Sequence, residues 1–319
     1  ALAQWLDQIK LLRFDEENIS AARNLGIRNA SGDIVAFIDD DAVPEPTWLD
    51  HLCGAFASPA VAAGGYVIGR NGISLQWRAR VALADATSEP LPIVGTEPQF
   101  HRGEAGQAIK TEGTNMAFRR STLLQMGGFD PVFRFYLDET DLNLRLAARD
   151  AVTAIVPRAV VHHGFEASNR RTAERVPLTL FEIGASLVAF LRRHSNEAQI
   201  EPLIAAERAR QANRLFGHMI DGRLEPRDVR RLLKSFDEGC KGGSGRPVSP
   251  LEPLDDEGTG FLAFASRIPN DLRILAGRSW QAPRLENEAR ALVSQGYRVS
   301  LYVLSPTIRR DRVAFHPDG

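Results

Sequence analysis

The chain has 319 residues, of which 44% are apolar and 25% charged; this is the composition of an ordinary soluble globular protein, and the length favours two domains. The formal net charge of -1 gives no reason to expect nucleic acid or an anionic membrane as a partner. The two cysteines, Cys53 and Cys240, lie outside any CxxC spacing, which favours free thiols in a reducing compartment over a disulfide. There is no secretory signal, and no apolar run approaches the roughly 20 residues of a spanning helix. We therefore expect a cytoplasmic protein.

The first predicted unit, residues 18–168, alternates helical and extended patterns, as α/β proteins do. Its clearest strand is the run of five apolar residues at 34–38, which we expect to be buried on both faces. Residues 90–111 are polar and interrupted by Gly and Pro, which is typical of a mobile loop. In chain order the patterns predict helices over 19–27, 47–56, 120–126 and 140–149, and strands over 34–38, 61–68, 116–118, 153–156 and 159–162.

Residues 172–238 have a helical pattern throughout. Within them, the apolar stretch 178–191 is interrupted by Glu182 and followed by basic residues, so it is too short to span a membrane. It predicts an amphipathic helix that either packs on the protein or contacts the inner face of a membrane from outside the bilayer.

The pattern changes again at residue 239. Residues 239–260 are rich in Gly, Pro, Ser and acidic side chains, and predict a linker. A strand over 272–276, a helix over 285–295 and a strand over 298–304 then begin a second α/β unit. We therefore expect an α/β domain over 1–170, a helical appendage over 171–238, a linker over 239–265 and a partial α/β unit over 266–319.

Three consecutive aspartates, Asp39, Asp40 and Asp41, follow the predicted strand at 34–38 directly. The strand would place them at the carboxyl edge of the sheet, where open α/β sheets bind ligands. Two such carboxylates can share a divalent cation with the oxygens of a diphosphate, and the cation would relieve their repulsion. The alternative is a solvated acidic turn before the helix that begins near Thr47.

A second acidic cluster, Asp138-Glu139-Thr140-Asp141, stands at the start of the predicted helix at 140–149. A carboxylate there could remove a proton from an attacking hydroxyl group. It could equally stabilise the helix end, and Asp141 has the spacing for an ion pair with Arg145. His162 and His163 end a predicted strand, where they are either metal ligands or merely packed side chains.

Taken together, five ordered segments resemble the inverting family-2 glycosyltransferases, which have the GT-A fold, a Rossmann-like sheet flanked by helices. The segments are residues 18–27 (NISAARNLGI), 32–41 (GDIVAFIDDD), 113–120 (GTNMAFRR), 127–130 (GGFD) and 138–146 (DETDLNLRL). The resemblance covers about half of the chain, from Asn18 to Ser168. It implies transfer of a sugar from a nucleotide-sugar donor to a glycan or lipid-linked glycan acceptor, with Mn²⁺ or Mg²⁺ as cofactor.

The resemblance also implies roles for individual residues. Asp39, Asp41 and His163 would hold the metal, with His162 as the alternative to His163. Glu139 would be the catalytic base, with Asp138 beside it. The expected donor contacts are Arg23, Asn24, Asp39 and Asp40, and the expected residues at the donor–acceptor junction are Thr114 and Asn115.

The chain departs from the family pattern in two ways. The family begins with a β-α-β unit that would precede Ala1 and that these residues lack, so we expect an N-terminally incomplete domain. The order Asp138-Glu139 is also the reverse of the commoner Glu-Asp, which leaves the base open between the two. The tail, residues 273–301, resembles the opening β-α-β unit of GT-B-fold glycosyltransferases, and suggests a fragment of a longer two-transferase polypeptide.

Two other functions fit the same pattern less well. A nucleotidyltransferase also uses a nucleotide-binding α/β sheet and paired aspartates, but usually has a Gly-rich phosphate loop, and none is visible here. A non-catalytic module that binds nucleotide sugars or glycans is suggested by the missing β-α-β unit.

Overall fold

The structure is a computed structural model, and it describes residues 6, 8–164, 166–258, 260–263 and 270–307. Ten strands lie between Ile34 and His163. They are β1 (Ile34–Phe37), β2 (Ala42–Pro44), β3 (Ala62–Ile68), β4 (Leu75–Trp77), β5 (Arg80–Leu83), β6 (Ser88–Pro90), β7 (Gln99–Arg102), β8 (Gln107–Lys110), β9 (Met116–Arg119) and β10 (Val152–His163).

The main sheet is mixed, with the strand order β1-β9-β3-β10-β2, and with β4 paired to β3 and β7 to β10. Strands β3 and β10 are parallel, whereas β1 and β9 pair antiparallel. Strands β6, β5 and β8 form a small antiparallel sheet. The predicted α/β fold with a mixed sheet flanked by helices is therefore confirmed.

Helices cover both faces of the main sheet. They are α1 (Ile19–Asn29), α2 (Trp48–Gly54), α3 (Arg120–Gln125) and α4 (Asp138–Ala147). Because successive strand residues point to opposite faces, β9 contributes side chains to the hydrophobic cores on both faces of the sheet. Ala117 packs with α2 residues such as Leu52, whereas Phe118 packs with residues of α1, α3 and α4 such as Ile27 and Leu142.

Three further helices follow the sheet: α5 (Phe181–His194), α6 (Glu197–Ile220) and α7 (Pro226–Ser244). Residues 184–191 of α5 are all buried, and they pack with α7 and with α4. The predicted amphipathic stretch is thus a packed helix. In the described part of the chain, none of the helices is both long enough and apolar enough to cross a membrane.

The tail contains β11 (Asn270–Arg278), α8 (Ala282–Ser294) and β12 (Tyr297–Leu304). Its two strands pair in parallel, so the predicted β-α-β order is present in the structure. Its resemblance to the start of a GT-B fold, and the division of the chain into four segments, stay predictions.

The structure corrects four of the sequence-based elements. Strand β1 is half-buried instead of buried, because it lies at the end of the strand order with β9 as its pairing partner. The predicted loop at 90–111 contains β7 and β8, and the two late strands form the single strand β10, whose register shifts between Val156 and Val160. The predicted linker begins too early, because residues 239–244 belong to α7.

Candidate active site

The candidate metal site forms where β1 and β10 end and β2 begins. Strand β2 pairs antiparallel with the end of β10, and the register places Ala42 opposite His163. This pairing brings Asp41, the residue before Ala42, beside the imidazole. One ligand atom each from Asp39, Asp41 and His163 lies within 4.8 Å of the others.

Neighbouring side chains orient the three predicted ligands. Nε2 of His163 lies 3.0 Å from Oδ1 of Asp41, and Nδ1 lies 3.2 Å from Oε1 of Gln76. Thr114 donates a hydrogen bond of 2.7 Å to Oδ2 of Asp39. Burial lowers the pKa of His163 despite the opposing charges of Asp41 and Asp39, so the imidazole is held neutral, the form that binds metals.

Two of the predicted metal and donor residues lie outside this cluster. His162 points to the other face of β10, because side chains alternate along a strand, and its Nε2 contacts Oε1 of Glu45 at 2.7 Å. Asp40 is exposed in the turn between β1 and β2. The cluster therefore favours His163 over His162, and of the three aspartates it joins Asp39 and Asp41.

Arg23 connects the metal cluster to the acidic end of α4. Its guanidinium group forms an ion pair with Asp138, and lies 3.8 Å from Oδ1 of Asp39. It reaches this position over Gly113, where a Cβ atom would come within 2.9 Å of the guanidinium group. A side chain at residue 113 would therefore require the guanidinium group to shift.

Two asparagines predicted to lie near the substrates make several hydrogen bonds within the protein. The side-chain amide of Asn24 donates to the carbonyl of Phe129 at 2.7 Å and accepts from its N–H at 2.8 Å. Asn115 is fully buried, where it accepts from the Trp48 indole at 2.8 Å and donates to the carbonyl groups of Tyr66 and Ala159. These contacts direct both amides into the protein, whereas Thr114 remains at the cluster.

The backbone makes a sharp turn before α4. Tyr136 and Leu137 both have positive φ, 74° and 66°, which is uncommon for residues of this size and is typical of functional sites. The turn places Asp138 and Glu139 at the first positions of α4. Their positions match the sequence prediction, but the strained turn had no recognisable signal such as Gly or Asn.

Asp138 and Glu139 differ in their ionisation. Burial raises the pKa of Asp138 to about 7, because it outweighs the attraction of Arg23. Burial also opposes the ionisation of Glu139, but the ammonium group of Lys110, 3.1 Å away, and a backbone N–H outweigh it. The pKa of Glu139 is therefore held below its usual value. At neutral pH Glu139 is the more fully ionised of the two.

The sequence did not single out Lys110 or Arg171 as site residues. Lys110 lies at the end of β8, within the predicted loop. Arg171 donates a hydrogen bond of 3.1 Å to Oδ2 of Asp41, and the N–H of Glu166 reaches the same oxygen at 3.0 Å. The contacts of Arg171 and Glu166 with Asp41 depend on how the chain folds back after β10, and local sequence patterns do not show this.

A cavity of about 510 Å³ adjoins the cluster. Asp39, Asp41, His163 and Tyr136 are among the residues that line it. It is also lined by arginines from the segment after β10 and from α6: Arg170, Arg171, Arg210 and Arg214. Carboxylates and guanidinium groups in one cavity suit a ligand with both a bound cation and anionic oxygens.

Comparison with known proteins gives consistent similarities. Residues 1–126 match the family model described as glycosyl transferase family 2. The chain is 33% identical over 124 residues to the glucosyl-dolichyl phosphate glucuronosyltransferase of Haloferax volcanii, a stretch covering 38% of this chain and 37% of that protein. It is 27% identical over 196 residues to the O-antigen biosynthesis protein RfbC of Myxococcus xanthus, covering 55% of this chain and 14% of that protein.

A third relative is the pre-mycofactocin glycosyltransferase of Mycobacterium tuberculosis, 28% identical over 149 residues, which are 45% of this chain and 29% of that protein. The aligned stretches span between 14% and 37% of the length of these three relatives. Among solved structures, the chain is similar to GalNAc-T7 crystallised with UDP, GalNAc and Mn²⁺. The TM-score is 0.42 at 16% identity, covering 59% of this chain and 37% of that one.

Proposed function

We propose that the chain is a metal-dependent glycosyltransferase that inverts the anomeric configuration of the sugar it transfers. The proposal is supported by the match of residues 1–126 to the family-2 glycosyltransferase model and by the similarity to relatives named as glycosyltransferases. The donor is a nucleotide-diphosphate sugar and the acceptor is a hydroxyl group of a glycan or a lipid-linked glycan. The observation that carries the proposal is the grouping of Asp39, Asp41 and His163 within 4.8 Å, next to the acidic start of α4.

The donor set suits Mn²⁺ or Mg²⁺, because two carboxylates and a neutral imidazole match the ligand preferences of these ions. Asp39, Asp41 and His163 would hold the ion, which when bound supplies positive charge for the departing nucleotide diphosphate. Thr114 and Gln76 support this arrangement by fixing Asp39 and the His163 ring through hydrogen bonds of 2.7 and 3.2 Å.

Glu139 is the proposed general base. Lys110 keeps its carboxylate ionised, so it can accept the proton of the acceptor hydroxyl. The hydroxyl oxygen then bonds to the anomeric carbon from the side opposite the diphosphate, whose bond to that carbon breaks. Asp138, paired with Arg23, is the alternative base.

The acceptor class rests on the relatives. One acts, by its name, on a glucosyl-dolichyl phosphate, and another takes part in O-antigen biosynthesis. A lipid-linked acceptor would bring the chain to the inner face of a membrane without a spanning helix. The donor sugar, in turn, is expected from the UDP-, GDP- or dTDP-linked classes.

Calorimetry of the chain with UDP-, GDP- and dTDP-sugars, in Mn²⁺ and in EDTA, tests the proposal together with an assay for released nucleoside diphosphate. We expect binding of one donor class that needs the metal, and release of its diphosphate. Metal-dependent binding without turnover, even with added acceptors, would identify a non-catalytic binding module. Release of inorganic pyrophosphate from a nucleoside triphosphate and a sugar phosphate would identify a nucleotidyltransferase.

A further inference from the structure

Glu112, which neighbours the candidate site in the segment between Lys110 and Thr114, has an unsatisfied carboxylate oxygen. Its Oε2 atom is buried and accepts no hydrogen bond, and among the described residues it is the sole carboxylate oxygen in that condition. The nearest cation, Nζ of Lys110, is 3.8 Å away and makes its closer contact with Glu139. Buried polar atoms nearly always have a partner, so an orphaned one calls for an explanation, such as an absent ligand.

The position of Glu112 indicates what kind of ligand could bond to this oxygen. Glu112 begins a tight turn in which the Asn115 N–H donates to its carbonyl at 2.8 Å. Two residues after Glu112, Thr114 binds Asp39 of the candidate metal site, and two residues before it, Lys110 pairs with Glu139. Glu112 therefore belongs to a short segment that contacts both the candidate metal site, through Thr114, and the proposed base, through Lys110. In a glycosyltransferase the transferred sugar is held between these two groups.

The chemistry of the surroundings also suits a sugar. Lys110 lies over the Trp77 ring, 4.8 Å from its centroid, so a carboxylate, an ammonium group and an aromatic ring occur together. A carboxylate accepts hydrogen bonds from hydroxyl groups strongly, because it is charged. The charged groups that act on the Glu112 carboxyl are Lys110, Glu139, Asp39 and Asp138.

We propose that the Glu112 carboxylate accepts a hydrogen bond from a hydroxyl group of the transferred sugar and thereby contributes to the choice of donor sugar. This inference rests on the proposed glycosyltransferase function. Its rival is a structural role, in which Glu112 merely helps to hold Lys110. In that case the sugar part of the donor would bind equally well without it.

The test compares the affinity of the nucleotide alone with that of the nucleotide sugar. UDP and UDP-glucose, or the corresponding pair of the donor class that binds, are titrated with Mn²⁺ into the wild-type chain and into Glu112→Gln and Glu112→Ala. In Glu112→Ala we expect the preference for the nucleotide sugar over the nucleotide to fall by about tenfold or more, the scale of a hydrogen bond to a charged group. Affinity for the nucleotide alone should stay as in wild type.

Glu104→Ala is the matched control, because Glu104 is an exposed glutamate in the turn between β7 and β8. A deoxy-sugar donor that lacks the bound hydroxyl should lose affinity for the wild-type chain but not for Glu112→Ala, because the two changes remove the same contact. A preference that is unchanged in folded Glu112 variants would overturn the inference while leaving the glycosyltransferase proposal intact. If the wild-type chain binds no nucleotide with Mn²⁺, both proposals fall.

The thermal stability of the ligand-free chain gives an independent readout. Burial raises the pKa of Glu112 to about 7, so the ionised carboxylate is unfavourable in the absence of ligand. At pH 8, Glu112→Gln should therefore raise the Tm, by about 2 °C or more. A lower Tm together with an unchanged nucleotide-sugar preference would make Glu112 a structural partner of Lys110 and overturn the inference.

Discussion

Asp41 of the candidate metal site makes contacts through both of its carboxylate oxygens. Oδ1 lies beside His163, and Oδ2 accepts hydrogen bonds from Arg171 and from the N–H of Glu166. These partners belong to the end of β10 and the segment after it. Removing the carboxylate should therefore disturb that segment and the metal, while the core of the sheet remains packed.

We expect Asp41→Ala to abolish metal-dependent donor binding while the fold is retained. Calorimetry with and without Mn²⁺ measures the first property and circular dichroism the second. Asp50→Ala is the control, because Asp50 is an exposed aspartate on α2 outside the cluster. Mn²⁺-dependent affinity equal to that of wild type in a folded Asp41→Ala chain would contradict the metal assignment.

Glu139→Gln should lower turnover by about a hundredfold or more, the usual scale for loss of a general base, with donor affinity nearly unchanged. The amide keeps the shape and hydrogen bonding of the side chain, but it cannot accept the proton. Asp138→Asn should be measured in parallel, and Glu201→Gln, an exposed glutamate of α6, is the control. If Asp138→Asn is the inactive variant, the base is Asp138; if neither variant loses activity, both residues merely begin a helix.

For individual residues, the sequence was informative where a motif specifies both the residue type and its chemical role. Asp39, Asp41 and His163 were identified in this way, and the fold brings them together. The inward direction of the Asn24 and Asn115 amides was not predicted, because their backbone partners lie 105 residues away for Asn24 and up to 49 for Asn115. Which way an asparagine points is decided by such distant contacts, and the motif does not contain them.

Between secondary-structure elements, helices α5 and α7 pack closely against each other. This contact depends on glycines: a Cβ atom on Gly239 would lie 2.0 Å from the Phe181 carbonyl oxygen, and one on Gly243 would lie 2.4 Å from that of Ala185. These glycines made the segment resemble a linker, since Gly is a poor helix former. In the structure their lack of a side chain is what allows the two helices to approach.

Gly239→Ala should therefore destabilise the chain, although alanine is the better helix former by about 1 kcal/mol. The matched control is Gly217→Ala in α6, where a Cβ atom would meet nothing within 4 Å. That change should stabilise the chain by about 0.4–1 kcal/mol. Urea unfolding of the two variants measures both effects, and equal shifts would show that the α5–α7 contact does not need glycine.

Asp141 links the active-site helix α4 to α5. This fully buried carboxylate pairs with Arg145 at 2.8 Å, Arg193 at 2.9 Å and His194 at 2.9 Å. Burial opposes its ionisation, but Arg145, His194 and Arg193 outweigh this and hold the pKa of Asp141 well below its usual range. The folded state therefore binds this proton less readily than the unfolded state does.

The sign of the pH effect follows from that lowered pKa. The stabilisation from Asp141 is fully present above the ordinary aspartate pKa of about 3.9, and is lost as the pH falls below it. Asp141→Asn should destabilise the chain at pH 7 by about 3–5 kcal/mol, because it leaves buried cations without their partner. It should also flatten the loss of stability below about pH 4, as measured by urea unfolding across pH. A steep acid dependence that is equal in both chains would contradict this assignment.

At the scale of the whole molecule, the apolar patterns predicted an α/β fold and the order of its main elements, because long apolar runs have a clear period. The mixed sheet was implied by the resemblance to family-2 glycosyltransferases. The sequence did not predict how the segment after α7 returns to the first domain. The Leu254 N–H donates to the Leu124 carbonyl at 2.8 Å, and the Leu254 side chain joins the core beneath α1 and α3. Polar composition indicated a linker there, and one leucine in a polar stretch gave no periodic signal.

This return segment also depends on glycine. Gly127 and Gly128 have φ of 76° and 64°, and Cβ atoms there would lie 2.5 Å from the Glu252 carbonyl oxygen and 2.7 Å from the Leu254 side chain. The bidentate ion pair between Arg120 and Asp256 also contacts the segment, but Asp256 is 55% exposed, so solvent and salt screen the pair. Leu254 should therefore account for most of the attachment.

Leu254→Ala is expected to release the return segment from the first domain, since a truncated side chain no longer fills its place in that core. Limited proteolysis should cut the variant between residues 246 and 258 several-fold faster than the wild-type chain, because cleavage needs backbone that is free to leave the surface. Leu262→Ala, at a leucine that is already 40% exposed, should be cut at the wild-type rate. Raising the salt concentration should change the wild-type rate little, because the contact is mainly apolar. If salt alone reproduces the effect of Leu254→Ala, the surface ion pairs with Arg120 and Arg28, and not the buried leucine, hold the segment in place.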